Sequence, residues 1–133
     1  MNILIYNIQV LGLYKSNTQY LRSNNDNKKL YAYGASGRAN TLMEFMNVKF
    51  DVIFDDSKSK IHKFTPKNHT KILDSMSIYN DNSISHIFIL AWTYHVDIIK
   101  KHERFLEEGG TFIIVLPEIK VIVGGTPLQV QYL

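Results

Sequence analysis

Four consecutive apolar residues, Ile87-Phe88-Ile89-Leu90, inside the run Ile84 to Ala91, constrain this chain more than any other feature. A strand with one face in water alternates apolar and polar side chains. A strand apolar at every position needs cover on both faces, as in a parallel sheet lying between helices. This run therefore belongs at the centre of such a sheet.

The flanking segments agree. Leu30-Tyr31-Ala32-Tyr33 reads as a short strand that stops at Gly34, after which Leu42, Phe45 and Met46 recur at helical spacing up to a stop at Asn47. Phe50 to Phe54 is a second apolar strand ending in Asp55-Asp56, and the basic stretch Ser57 to Lys71, which contains Pro66, reads as an exposed excursion. Beyond the central strand, Val96, Ile98, Ile99, His102, Phe105 and Leu106 mark one helix, ended by Gly109-Gly110 taking the left-handed conformation. Thr111 to Leu116 returns as a strand. Strands alternating with helices imply parallel pairing through crossover connections. The fold class expected is α/β: a single Rossmann-like three-layer domain with a mostly parallel sheet.

Two segments stay open on pattern alone. In residues 1 to 22, Leu4, Ile8, Leu11 and Tyr14 fit a helical face, while the β-branched Ile5, Ile8 and Val10 argue for a strand. Residues 124 to 133 form either a last short strand or a tail.

At 133 residues and 45% apolar composition, one domain has enough material for a core and little is left for a second. Fifteen basic against 12 acidic side chains give a net charge of only +3, without the dense Lys/Arg stripe that tracks a nucleic-acid backbone. Cysteine is absent, which removes disulfides, thiolate metal ligands and thiol nucleophiles. The opening Met1 to Tyr14 is too short and too polar to span a bilayer and lacks a basic leader. We expect a cytoplasmic protein that binds neither nucleic acid nor membrane.

The segment Gly34-Ala35-Ser36-Gly37-Arg38-Ala39-Asn40-Thr41 carries the main functional signal. Glycine at a strand end permits a sharp turn, small residues let backbone N–H groups approach a ligand, and the positive helix end suits a diphosphate. Arg38 can add a charge-assisted contact, and Ser36 either joins it or caps the helix. The pattern is G-x-x-G and not the longer dinucleotide fingerprint. Asp55, about 20 residues beyond the turn, stands where such sheets place a carboxylate against a ribose hydroxyl, the alternative being a solvated strand end. Trp92 and Glu118 follow strands at the same carboxyl edge; the indole either stacks on a base or sugar or packs at the rim. Lys58, Lys60, Lys63, Lys67 and Lys71, with His62 and His69, either fold over a phosphate or are solvated loop. His102 reads as a packed histidine and His95 as a residue of the cleft. No nucleophile, base and orienter, and no metal-ligand cluster, assemble at convincing spacing.

From Tyr33 to Ile122 the chain resembles the C-terminal domain of the sugar C-methyltransferases that act on nucleotide-linked deoxysugars. The resemblance runs through Tyr33-Gly34-Ala35 and Arg38-Ala39-Asn40-Thr41, then Asp55, Lys60 and Phe64-Thr65-Pro66-Lys67-Asn68-His69. It continues through Ala91-Trp92, Gly109-Gly110-Thr111-Phe112-Ile113 and Pro117-Glu118. Arg38 stands where that family has Lys, and Ala39 and Lys67 stand where it has Gly. The resemblance implies a helix over Met1 to Leu21 and a role in holding a nucleoside-diphosphate sugar. It places Gly34, Ala35, Ser36, Gly37, Arg38, Asn40, Thr41, Asp55, Lys60, Trp92 and Glu118 as ligand contacts. Full-length relatives also carry a zinc domain and a domain that binds S-adenosylmethionine and supplies the catalytic histidines, for which these 133 residues have no room. The chain is therefore expected to be the binding half, as a split subunit, an excised piece or a domain used alone, with no cofactor of its own. Its rivals are a stand-alone sugar-nucleotide or nicotinamide-dependent enzyme using His95, Glu118 or His69 as acid/base, and a degenerate subunit that only completes a separate methyltransferase chain.

Overall fold

The computed structural model describes residues 29–46, 49–66, 68–116, 118–124 and 129–132. The expected N-terminal helix, the Asn47 stop, Lys67 and Pro117 lie outside them. Among the described residues seven strands form one sheet: β1 (Tyr31–Tyr33), β2 (Val52–Asp55), β3 (Lys71–Asp74), β4 (His86–Ile89), β5 (Thr111–Ile114), β6 (Lys120–Val123) and β7 (Gln129–Tyr132), in the order β3-β2-β1-β4-β5-β6-β7. β3, β2, β1, β4 and β5 are parallel, β6 pairs antiparallel with β5, and β7 pairs antiparallel with β6. Helix α1 (Gly37–Met46) follows β1, a 3₁₀ helix (Ser75–Asn80) follows β3, and α2 (His95–Lys101) with α3 (Glu103–Glu107) joins β4 to β5.

The period-two alternation of the strands sorts the core into two layers. Leu30, Ala32, Ile53, Phe88, Leu90 and Ile113 pack with Ala39, Leu42 and Met43 of α1 on one face. Tyr31, Tyr33, Phe54, Ile87, Ile89, Phe112 and Ile114 pack on the other face with Ile78, Ile98, Phe105 and Leu106. β4 lies fourth of the seven strands, with Ile87, Ile89 and Leu90 fully buried, as the unbroken apolar run requires. The three-layer, mostly parallel α/β fold is therefore present.

Three expectations need correction. The basic excursion ends earlier than read: Lys71–Asp74 forms edge strand β3, because Ile72 supplies a buried residue and the strand pairs with β2. The single helix over Val96 to Leu106 is two, broken at His102, whose backbone leaves helical geometry (φ −116°, ψ 36°). Val96 is 65% exposed and takes no part in the apolar face. The structure also adds β6, unplaced by pattern, and extends residues 129–132 into a strand. Gly109 does adopt positive φ (95°) behind α3. No helix among the described residues is long and apolar enough to cross a membrane.

Candidate functional site

Sheet order reverses between β1 and β4, so their connections leave in opposite directions and open a crevice at the carboxyl edge. The turn after β1 is built from backbone constraints. Gly34 has φ 102°, its N–H donates to the Phe54 carbonyl (2.8 Å), and the Ala91 loop passes against it. Asp55, buried at the end of β2, receives the Ala35 N–H on Oδ2 (2.7 Å) and the Ser57 N–H on Oδ1 (2.8 Å). Ser36 caps α1 by accepting the Ala39 N–H at its hydroxyl (3.2 Å), and its carbonyl accepts the Asn40 N–H. Thr41 donates its hydroxyl to the Gly37 carbonyl one turn back.

Two neighbouring cavities occupy the crevice. The first, about 400 Å³, lies between Ser36, Gly37 and Arg38 at the start of α1 and Leu90 to Tyr94 after β4. The Arg38 side chain is exposed there and has no ion-pair partner among the described residues. The second, about 270 Å³, shares Ala91 and Tyr94 with the first and is bounded by Tyr33, Gly34, Asp55, Asp56, Asp97, Ile98 and Lys101. One cavity thus offers a cation and a helix N-terminus, the other mainly carboxylates and phenols.

Of the residues singled out from sequence, the turn from Gly34 to Arg38, Asp55 and Trp92 come together here. Asn40 and Thr41 lie one turn further along α1. Lys60 sits in the turns between β2 and β3 and lines neither cavity, as do Lys58, Lys63 and His62. Glu118, exposed in the β5–β6 connection, pairs with Lys120 at 4.0 Å and also lines neither. His95 donates Nδ1–H to the Trp92 carbonyl (2.7 Å), which ties down the loop after β4. His69 stands just ahead of β3, with Thr70 between them, and so lies at the opposite, amino edge of the sheet. His95, Glu118 and His69 do not form one acid/base site.

Sequence reasoning missed a connected polar group under the second cavity. Asp56 accepts from the Tyr33 hydroxyl (2.5 Å), the Ser75 hydroxyl (2.5 Å) and Lys101 Nζ (2.6 Å). His102, fully buried, lies between the Tyr33 hydroxyl (3.1 Å) and the Tyr79 hydroxyl (2.8 Å), and Arg104 covers the Tyr79 ring. Burial pushes the Asp56 carboxyl up, but the hydrogen bonds from Lys101, Ser75 and Tyr33 outweigh it and hold the group below its usual range. Burial holds His102 below its usual 6.5. Burial and the bond to Asp56 push the Tyr33 phenol far up, so it stays protonated. The available signals were the doubled carboxylate Asp55-Asp56 and an apolar-face histidine, whose ring needs two partners once buried.

Both depressed groups bind fewer protons folded than unfolded, so acid destabilises the domain. Stability is expected to fall as pH drops through 6.5, by at most about 1.4 kcal/mol per pH unit from His102. A second loss follows below the usual carboxylate value of 3.8, from Asp56. Urea unfolding between pH 7.5 and 5 checks this; a His102→Phe variant whose slope in that window equals the wild type's would show that His102 does not contribute.

Residues 8–117 match the family model described as the C-methyltransferase C-terminal domain. The chain belongs to that family. This C-methyltransferase C-terminal domain is also 29% identical over 104 residues to the C-methyltransferase NovU of Streptomyces niveus, an alignment covering 73% of the chain. It spans about a quarter (24%) of NovU's length. Among solved structures, it resembles UDP-D-quinovosamine 4-dehydrogenase from Vibrio fischeri with a TM-score of 0.46 and 18% identity, over 66% of this chain and 77% of that one.

Proposed function

We propose that this C-methyltransferase C-terminal domain binds a nucleoside-diphosphate sugar for methylation by apparatus outside these residues. The observation that carries the reading is the crevice between β1 and β4. There a glycine turn, a helix N-terminus and the exposed Arg38 guanidinium, unpaired among the described residues, face a cavity sized for a diphosphate and its flanking groups, with Trp92 alongside. The carboxylate-lined cavity next to it suits an uncharged, hydroxyl-bearing ring better than a second anion. Arg38 favours phosphate over the cationic sulfonium of S-adenosylmethionine, whose binding we assign to a separate domain or chain. In this role the domain catalyses nothing alone; it presents the sugar to a methyltransferase partner.

Calorimetric titration with uridine and thymidine diphosphate sugars, S-adenosylmethionine and NAD(P), with a product assay alongside, tests the proposal. Saturable binding of a nucleotide-sugar without turnover is expected. Turnover by the chain alone would favour a stand-alone enzyme, and silence across the panel a subunit that only completes a separate methyltransferase. Arg38→Ala is expected to weaken nucleotide-sugar binding by about 1.5 to 3 kcal/mol, roughly tenfold to a hundredfold. Unchanged affinity would remove Arg38 from the site.

A further inference from the structure

The polar chain beneath the second cavity admits one order of protons. Asp56 is held ionised and can only accept, so the Tyr33 hydroxyl donates to Oδ2. Having given its single proton, the Tyr33 oxygen can only accept from His102, so Nε2 carries the imidazole hydrogen. The ring is neutral, which leaves Nδ1 bare to accept the Tyr79 hydroxyl. The chain thus runs from Tyr79 in the 3₁₀ helix, through the α2–α3 break, to β1 and the end of β2, joining four segments of backbone.

The carboxylate at its end is not fully used. Ser75 and Lys101 occupy Oδ1 and Tyr33 takes one acceptor position on Oδ2, so of about four lone-pair positions one on Oδ2 stays open among the described residues. Asp56 lines the second cavity and is 42% exposed at its side chain. We infer that His102 is a positioning residue for this crevice: locked as the Nε2–H tautomer, it fixes the Tyr33 hydroxyl on Asp56. It thereby sets the direction in which Asp56 offers its open oxygen to a sugar hydroxyl. The ligand class rests on the function proposed above; the proton order and its effect on Asp56 do not.

The groups facing the chain are Lys101 and Ser75 at Asp56, Ser75 and Asp55 beside Tyr33, and Arg104 with Glu108 near Tyr79. None of them accepts from Nε2, so while the His102 ring is neutral its hydrogen-bonded effect on Asp56 passes through Tyr33; at acid pH its charge acts on Asp56 directly. The readout is therefore the Asp56 carboxyl ¹³C shift of the ligand-free protein at neutral pH. That shift is expected to move in Tyr33→Phe and by a smaller amount in His102→Phe, with no further change in the double variant. His102→Gln, which keeps a donor toward Tyr33, is expected to restore the wild-type shift and stands in if the phenylalanine variant does not fold. Long-range ¹⁵N spectra of His102 should show Nε2 protonated and Nδ1 bare at the same pH. An unmoved Asp56 shift in His102→Phe, an equal His102 effect with and without Tyr33, or protonation at Nδ1 would each overturn the inference.

Binding separates it from the functional reading. Calorimetry with uridine diphosphate glucose and thymidine diphosphate glucose should show affinity roughly threefold to tenfold weaker in His102→Phe. Wild-type binding that His102→Phe leaves unchanged would overturn the positioning role. Failure of the wild type to bind either probe would sink the nucleotide-sugar reading and leave the Asp56 carboxyl shift at neutral pH to decide the positioning.

Discussion

A Gly34→Ala variant is expected to lose about 2 to 5 kcal/mol of folding stability, enough to unfold much of the population of a domain this size. Two independent costs add. At φ 102° an L side chain is strained, by roughly 1 to 2 kcal/mol. The new methyl would also stand 2.5 Å from the Ala91 Cβ and 2.9 Å from its backbone nitrogen, an overlap that typically costs about 1 to 3 kcal/mol to relieve. Ala91 cannot yield cheaply, because its N–H and that of Leu90 both donate to the Tyr33 carbonyl and pin the two loops together. The control is Gly37→Ala, where an added methyl meets nothing within 4 Å and the helical position favours alanine. Urea midpoints should separate the two variants clearly; equal midpoints would mean that the two loops do not approach as described. Any residual folded Gly34→Ala protein should also bind nucleotide-sugar poorly, since relieving the overlap pries open the floor shared by both cavities.

What was legible in the sequence follows from what is local. The strand, glycine turn and helix from Leu30 to Leu42 are encoded by neighbours, and so is the apolar run of β4, whose double burial follows from composition alone. β3 was hidden because Lys71-Ile72-Leu73-Asp74 has charges at both ends and belongs at a sheet edge. The break at His102 was hidden for a different reason: helical spacing continues across it, and only the two tyrosine hydroxyls, one 69 residues and the other 23 residues away, explain why that residue departs from the helix. The site shows the same division. The glycine turn could be read from consecutive residues, whereas Tyr33, Asp56, Ser75, Lys101, His102 and Tyr79 converge only after the sheet and its covering helices have formed.

Asp55 braces the turn after β1, and Asp55→Ala is expected to cost about 2 to 4 kcal/mol of stability. The carboxylate stands at the carboxyl edge of the sheet, where each oxygen receives a backbone N–H, from Ala35 and from Ser57. Hydrogen bonds to a charged acceptor contribute about 1.5 to 3 kcal/mol each, partly recovered when water reaches the freed amides. Ala35 follows Gly34 in the turn, so its amide is, with the Gly34 N–H on the Phe54 carbonyl, a contact through which β2 holds the glycine turn in shape. Asp55→Asn distinguishes this bracing role from simple charge: its side-chain oxygen can keep one of the two amides, while its NH₂ group cannot accept the other. The asparagine variant is therefore expected to lose about half as much stability as the alanine variant, as measured by urea unfolding at pH 7. If Asp55→Ala instead unfolds at the wild-type midpoint and weakens only nucleotide-sugar binding, the carboxylate acts on ligand and does not brace the turn.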